Sequence, residues 1–167
     1  MELNQLTAIS PVDGRYRKQL QHLDEYFSEY ALIKYRVFVE IEYFLYLGEK
    51  KFFKIPTPVK TYLNAAVANF SLEDAEEIKQ TEKITNHDVK AVEYFLKKQL
   101  EQCNAASLKE WIHFGLTSQD INNTAIPLSW KHAIEHDYLP AILNLQNHLL
   151  KLAHLWQDIP MLARTHG

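Results

Sequence analysis

One spacing runs through this chain: apolar residues recur every three or four positions, and nowhere do they alternate with polar ones. Recurrence at i, i+3, i+4 and i+7 lines one face of a helix, whereas a half-buried strand needs strict alternation. Leu20, Leu23, Phe27, Tyr30, Ala31, Tyr35, Phe38, Ile41, Phe44 and Leu45 follow the helical rule. They predict a helix from Leu20 that Gly48 ends, because a glycine just past the last turn can satisfy orphan carbonyls. No segment reads as a strand and no repeat is present, so the expected fold class is all-α.

Local signals divide the helical pattern. Ser10-Pro11-Val12-Asp13-Gly14-Arg15-Tyr16 reads as a turn, with proline fixing φ and Asp-Gly offering a positive-φ step. Thr57-Pro58 predicts an N-cap followed by proline at the first helical position. Ser71-Leu72-Glu73-Asp74 resembles a capping box with Asp in place of Glu, and Ser107-Leu108-Lys109-Glu110 is a full capping-box pattern ahead of Trp111. Between them, Asn86-His87-Asp88 precedes Val89, Val92, Phe95, Leu96 and Leu100, again at helical spacing. From about Asp120 to Trp156 one long pattern is interrupted at Pro127 and Pro140, which predicts either two helices or one bent rod. The final Ile159 to Gly167 stretch has neither a polar tail nor a completed element. An amphipathic helix left with so little to cover it predicts the N-terminal part of something longer.

Composition narrows the function classes. Hydrophobic residues make up 47% of the 167 and charged residues 23%, enough for a packed core and against disorder. The formal charge of −3 excludes the basic footprint of a nucleic-acid binder, although a local pocket for one small anion remains open. Cys103 is the single cysteine, so neither an internal disulfide nor a cysteine zinc cage can form. The N-terminus lacks the basic start and apolar run of a signal peptide, and no segment approaches the roughly 18 apolar residues of a membrane helix. The sequons at Asn69 and Asn122 therefore read as coincidental, and the expected location is the cytoplasm.

Four polar clusters interrupt the apolar pattern. Arg15 can clamp a phosphate or carboxylate bidentately, with the Tyr16 hydroxyl as a further donor; the commoner outcome for such a pair is a solvated arginine and a half-buried tyrosine. In the second cluster, Asn86 or Asp88 can cap the following helix and His87 can be an ordinary exposed residue. The alternative aims His87 at a ligand from a helix N-terminus, with Asp88 fixing its tautomer. The third and densest cluster runs from His113 through Gly115, Thr117, Ser118, Gln119 and Asp120 to Asn122 and Asn123. Thr117 and Ser118 can cap the long helix with Gln119 or Asp120 completing the arrangement, and the same hydroxyls can form an anion cradle. Two adjacent asparagines inside a helical run are unfavourable by propensity, which points to a polar task for their side chains. Last comes His166 with Arg164 and Thr165; histidine suits acid–base work near neutral pH, though a lone one near a chain end is more often idle.

In combination, Ser10 to Tyr16, Thr85-Asn86-His87-Asp88-Val89-Lys90-Ala91-Val92-Glu93-Tyr94, Ile112 to Asn123 and Arg164-Thr165-His166-Gly167 resemble the adenylosuccinate lyase family of the fumarase/aspartase superfamily, in its longer bacterial form. The resemblance covers essentially the whole chain. It implies a small helical domain over residues 1–118 and the start of a long-helix bundle over 119–167. It also implies a C–N lyase that eliminates fumarate from adenylosuccinate, giving AMP, and from the succinylated aminoimidazole carboxamide ribotide of purine synthesis. No metal or organic cofactor is expected. The implied partners are the nucleotide substrate and further copies of the chain, in a homotetramer whose active sites are shared between subunits. Residue by residue, Arg15 and Tyr16 would bind the phosphate region, while Asn86, His87, Asp88, Thr117 and Ser118 would line the substrate site. His113 matches a further active-site histidine, and His166 the general acid that protonates the departing amine. The family's general base, a serine on a glycine-rich loop, has no counterpart among these residues, so the 167-residue chain is expected to be inactive alone. Two other readings stay open: another fumarate-releasing lyase such as argininosuccinate lyase, and a non-catalytic protein that binds partner helices through the 120–156 segment.

Overall fold

The computed structural model describes residues 1–162, and these are helical, with no strand among them. The order is α1 (Asp13–Leu20), a 3₁₀ turn at Gln21–Leu23, α2 (Asp24–Phe27), α3 (Glu29–Glu49), α4 (Thr57–Ala68), α5 (Leu72–Thr85), α6 (Asp88–Gln102), a 3₁₀ stretch at Ala106–Trp111, α7 (Ser118–Ala133), a π-helical turn at Ile134–Tyr138 and α8 (Leu139–Trp156). The expected all-α class holds. No helix among the described residues is long and apolar enough to cross a membrane.

The chain divides into two compact units, Met1–Trp130 and the residues from Lys131 onward. In the first unit α3 is the central element. Its Ile41 and Phe44 are fully buried, together with Leu63 of α4, Ile78 of α5 and Val92, Leu96 and Leu100 of α6. Each such side chain removed from water contributes about 1.5–3 kcal/mol of hydrophobic stabilisation. Phe53 stacks on Trp111 with ring centroids 4.6 Å apart, and Trp111 meets Phe114 at 4.7 Å. These rings fasten the segment leading into α7 onto the same core.

Several element boundaries differ from the sequence expectation. The Ser10–Tyr16 stretch is helical from Asp13 onward rather than a turn, and Gly14 does not adopt a positive φ. The cause is Asp13, whose Oδ2 accepts the N–H groups of Ile9 (2.6 Å) and Ser10 (2.8 Å) while Arg17 reaches its Oδ1 at 2.9 Å. The helix expected from Leu20 is broken at Ser28, which has extended backbone. Its hydroxyl accepts from Ala31 N–H at 3.1 Å and donates to the Asp24 carbonyl at 2.6 Å, ending α2 and capping α3. Gly48 lies inside the last turn of α3, where an added Cβ would collide with the Ile55 side chain. The glycine is there for close approach. Pro56 rather than Thr57 occupies the N-cap of α4, a shift of one position. Ser107 does not cap an α-helix; that stretch is 3₁₀ without a side-chain cap. The capping box of Ser71 and Asp74 is formed from both sides.

Residues 118–156 are helical throughout, with Pro127 inside α7 and Pro140 in the first turn of α8, preceded by the π-turn. In the second unit no residue of α8 is buried, and Leu139, Ile142, Leu143, Leu149 and Leu150 are about half exposed or more.

Candidate functional site

The site begins with a cap. Asn86 ends α5 in the left-handed conformation (φ 51°), and the extended His87 that follows is the N-cap of α6. Its Nδ1 accepts from Lys90 N–H at 3.1 Å. A ring nitrogen that accepts carries no proton, so the neutral imidazole holds its hydrogen on Nε2. That nitrogen lies 3.3 Å from Ser118 Oγ, at the first position of α7. His87 therefore caps one helix while offering Nε2–H towards the start of another, and its side chain stays half exposed. The Lys90 N–H holds this tautomer; Asp88 Oδ1 lies 3.7 Å from the same Nδ1, beyond hydrogen-bond distance.

Asp88 faces α3. Its Oδ2 accepts from Arg36 Nη2 at 2.6 Å, and its Oδ1 from Val89 N–H at 2.8 Å. Burial pushes the Asp88 carboxyl up, but the Val89 N–H and the Arg36 charge outweigh it and hold the group below the usual carboxylate range. Arg36 is itself buried, and its Nε donates to Asn122 Oδ1 at 2.9 Å. One guanidinium thus links α3, the start of α6 and α7. This is the polar task of Asn122; Asn123 accepts from Gln119 Nε2 at 2.6 Å along α7.

The loop between Trp111 and α7 is tied to α3 one turn further on. His113 takes a left-handed conformation (φ 60°), and its Nδ1 lies 2.5 Å from Oε1 of Glu40, a residue with no exposed surface. Burial pushes the Glu40 carboxyl up, and His113 counteracts part of that. Tyr43 donates its hydroxyl hydrogen to the Phe114 carbonyl at 2.9 Å. The loop then closes on α7. Asp120 Oδ2 accepts from Thr117 N–H (2.7 Å) and from the Thr117 hydroxyl (2.9 Å), which holds the Asp120 carboxyl below its usual range. Thr117 and Asp120 thus form one of the capping arrangements that the sequence left open, with the hydroxyl donating instead of accepting.

Of the residues singled out by sequence, His87 and Ser118 meet directly, and Asp88 joins Asn122 through Arg36. His113 and Thr117 belong to the loop that leads into Ser118. Arg15 and Tyr16 stand on α1 with the guanidinium 5.4 Å from the tyrosine ring centroid, and no hydrogen bond or ion pair joins them to the others among the described residues. Asn86 contributes its backbone conformation. His166, with Arg164 and Thr165, lies outside the described residues. No group of three or more His, Cys, Asp or Glu side chains suited to a metal ion occurs among the described residues.

Sequence reasoning missed Arg36, Glu40 and Tyr43. The signal was present: three polar residues at i, i+4 and i+7 within a long apolar helical run. Reading only the apolar positions of that run passes over them.

A family model described as lyase matches residues 14–167. The chain is 52% identical to an adenylosuccinate lyase of Dictyostelium discoideum, 46% to one of Escherichia coli strain K12 and 45% to one of Vibrio cholerae. All of this chain is covered in each case, against 38% of the relative's own length. The His87–Ser118 contact, the Arg36 bridge and the His113 loop all fall within the matched residues, and on that match this chain belongs to the lyase family.

Proposed function

We propose that this chain forms one part of an adenylosuccinate lyase, an enzyme that eliminates fumarate from adenylosuccinate and from the succinylated aminoimidazole carboxamide ribotide of purine biosynthesis. The observation that carries this reading is identity of 41–52% to proteins of that name along the whole of the chain. The local chemistry supports it. Elimination removes a proton from the carbon next to the one that bears the nitrogen and breaks the C–N bond, while negative charge builds on the carboxylate attached to the deprotonated carbon, so it calls for fixed donors and a proton source. Ser118 at the start of α7 and the Nε2–H of His87 are donors held by helix ends, where backbone N–H groups also favour anions.

In this reading His87, Asn86, Asp88, Thr117 and Ser118 line the substrate site, with Asp88 acting through its bond to Arg36. His113 adds a second imidazole, Arg15 and Tyr16 take the phosphate region, and His166 is the general acid. The remaining groups come from other parts of the assembly, a homotetramer with sites shared between subunits. The apolar, uncovered face of α8 supports such an assembly, since a helix of this kind needs a partner helix to bury it. No metal or organic cofactor takes part, and the enzyme works in the cytoplasm.

The test is fumarate release by the product of the complete reading frame, with argininosuccinate as the control substrate. Turnover of adenylosuccinate alone is the expected result. Turnover of argininosuccinate alone would overturn the purine assignment, and a folded protein silent on both would overturn the lyase reading.

A further inference from the structure

Glu40 has no role in the reading given so far, yet it breaks more than one rule of its surroundings. It is a carboxylate without exposed surface in the middle of the central helix, and its Oε2 has no hydrogen-bond partner among the described residues. Burying a carboxyl with one oxygen unsatisfied costs stability. Its partner His113 is a non-glycine residue held at φ 60°, a conformation that persists only where surrounding structure imposes it. Two local costs on the two halves of one contact mark a place where the sequence serves something other than stability.

From this juxtaposition we propose that Glu40 is a positioning residue: its Oε1 accepts the Nδ1 hydrogen of His113, which fixes the ring and leaves Nε2 as the nitrogen presented outward. The proposal rests on the reading of His113 as a site residue. The two nitrogens are unequally placed. Nδ1 lies 2.5 Å from a fully buried oxygen, whereas Nε2 has no hydrogen-bond partner among the described residues. Because Oε2 meets no donor, the carboxylate's accepting capacity is directed at His113, whose backbone N–H acts on it along with the ring. The loop cannot easily turn the ring away, since Tyr43 holds the next carbonyl at 2.9 Å and the Phe114 ring packs on Trp111. The other charges acting here are Glu93 of α6, itself bound to Lys90 and Lys97, and Asp120 of α7. His113 would thus face the site as the opposite tautomer to His87: one ring offers a hydrogen from Nε2, the other a lone pair.

The experiment is nitrogen-15 NMR of the imidazole rings in the histidine-labelled 167-residue chain, with His113 assigned by its loss in His113→Gln. The expected signature is a neutral ring protonated on Nδ1, with a far-downfield Nδ1 proton. In Glu40→Gln that proton should move upfield and the opposite tautomer should gain population, with the helical circular dichroism retained. A ring protonated on Nε2 in the unmodified chain would overturn the proposal without any variant. A His113 signature unchanged in Glu40→Gln would overturn it as well. Neither readout depends on catalytic turnover, so failure here is distinct from failure of the lyase reading.

Discussion

Arg36 on α3 donates from Nη2 to Asp88 Oδ2 at 2.6 Å, joining the middle of the central helix to the start of α6, 52 residues further along the chain. The same guanidinium reaches Asn122 on α7 at 2.9 Å. Helices that carry separate polar clusters are thereby set in one register. Replacing Arg36 by Met keeps the apolar length of the side chain but leaves Asp88 and Asn122 without their donor. The expected cost is about 1.5–3 kcal/mol, the range for hydrogen bonds to charged groups. Urea unfolding of the 167-residue chain measures it, and a cost below about 0.5 kcal/mol would remove Arg36 from this role.

His87 has two tasks that substitution can separate. As the N-cap of α6 it is replaceable by Asn, whereas Ala should lose about 1 kcal/mol of stability. In the complete protein both variants should lose activity, because neither supplies an Nε2–H to the site. Retained activity in His87→Asn would reduce the residue to a cap.

Stability should fall in acid. Asp13, held down first by the Ser10 N–H, and Asp88 and Glu93, where N–H groups, Arg36 and two lysines outweigh burial, all sit below their ordinary values. A carboxyl depressed on folding adds stability above its unfolded value, about 3.9 for Asp and 4.3 for Glu, and loses it as pH falls through the lower folded value. Glu40, raised by burial, works in the opposite direction but is a single group. Thermal unfolding followed from pH 6 to pH 3 should show a falling Tm, and Glu93→Gln should flatten the slope. A Tm that stays level or rises towards pH 3 would contradict this assignment.

The helical class and most of the core could be read from apolar spacing, because α3, α4 and α6 bury one regular face each. The capping box at Ser71 and the capping pair of Thr117 and Asp120 were legible for the same local reason: their partners lie three residues away. Long-range partners were not. Nothing in the local pattern says that Ser10–Tyr16 is drawn into a helix by the bonds Asp13 makes, or that Ser28 splits a continuous apolar run. The polar frame of the site was hidden for a further reason. Arg36, Glu40 and Tyr43 bond to residues between 52 and 86 positions away, so their purpose appears only once α3 is placed among its neighbours.

His166 is assigned a role by resemblance alone, so kinetics must test it. In the complete protein His166→Ala should lower the turnover number by at least about 100-fold, the usual contribution of a general acid. A change below about threefold would exclude that role.

His87 and Ser118, 31 residues apart in sequence and in contact in the fold, test most directly whether the separated clusters work as one site. A double-mutant cycle of His87→Ala and Ser118→Ala in the complete protein, read as kcat/KM for adenylosuccinate, gives their coupling. The prediction is a non-additive term of about 0.5–3 kcal/mol, as found for residues in contact. Losses that add within about 0.3 kcal/mol would mean that the two side chains act independently, and the site as described would not stand.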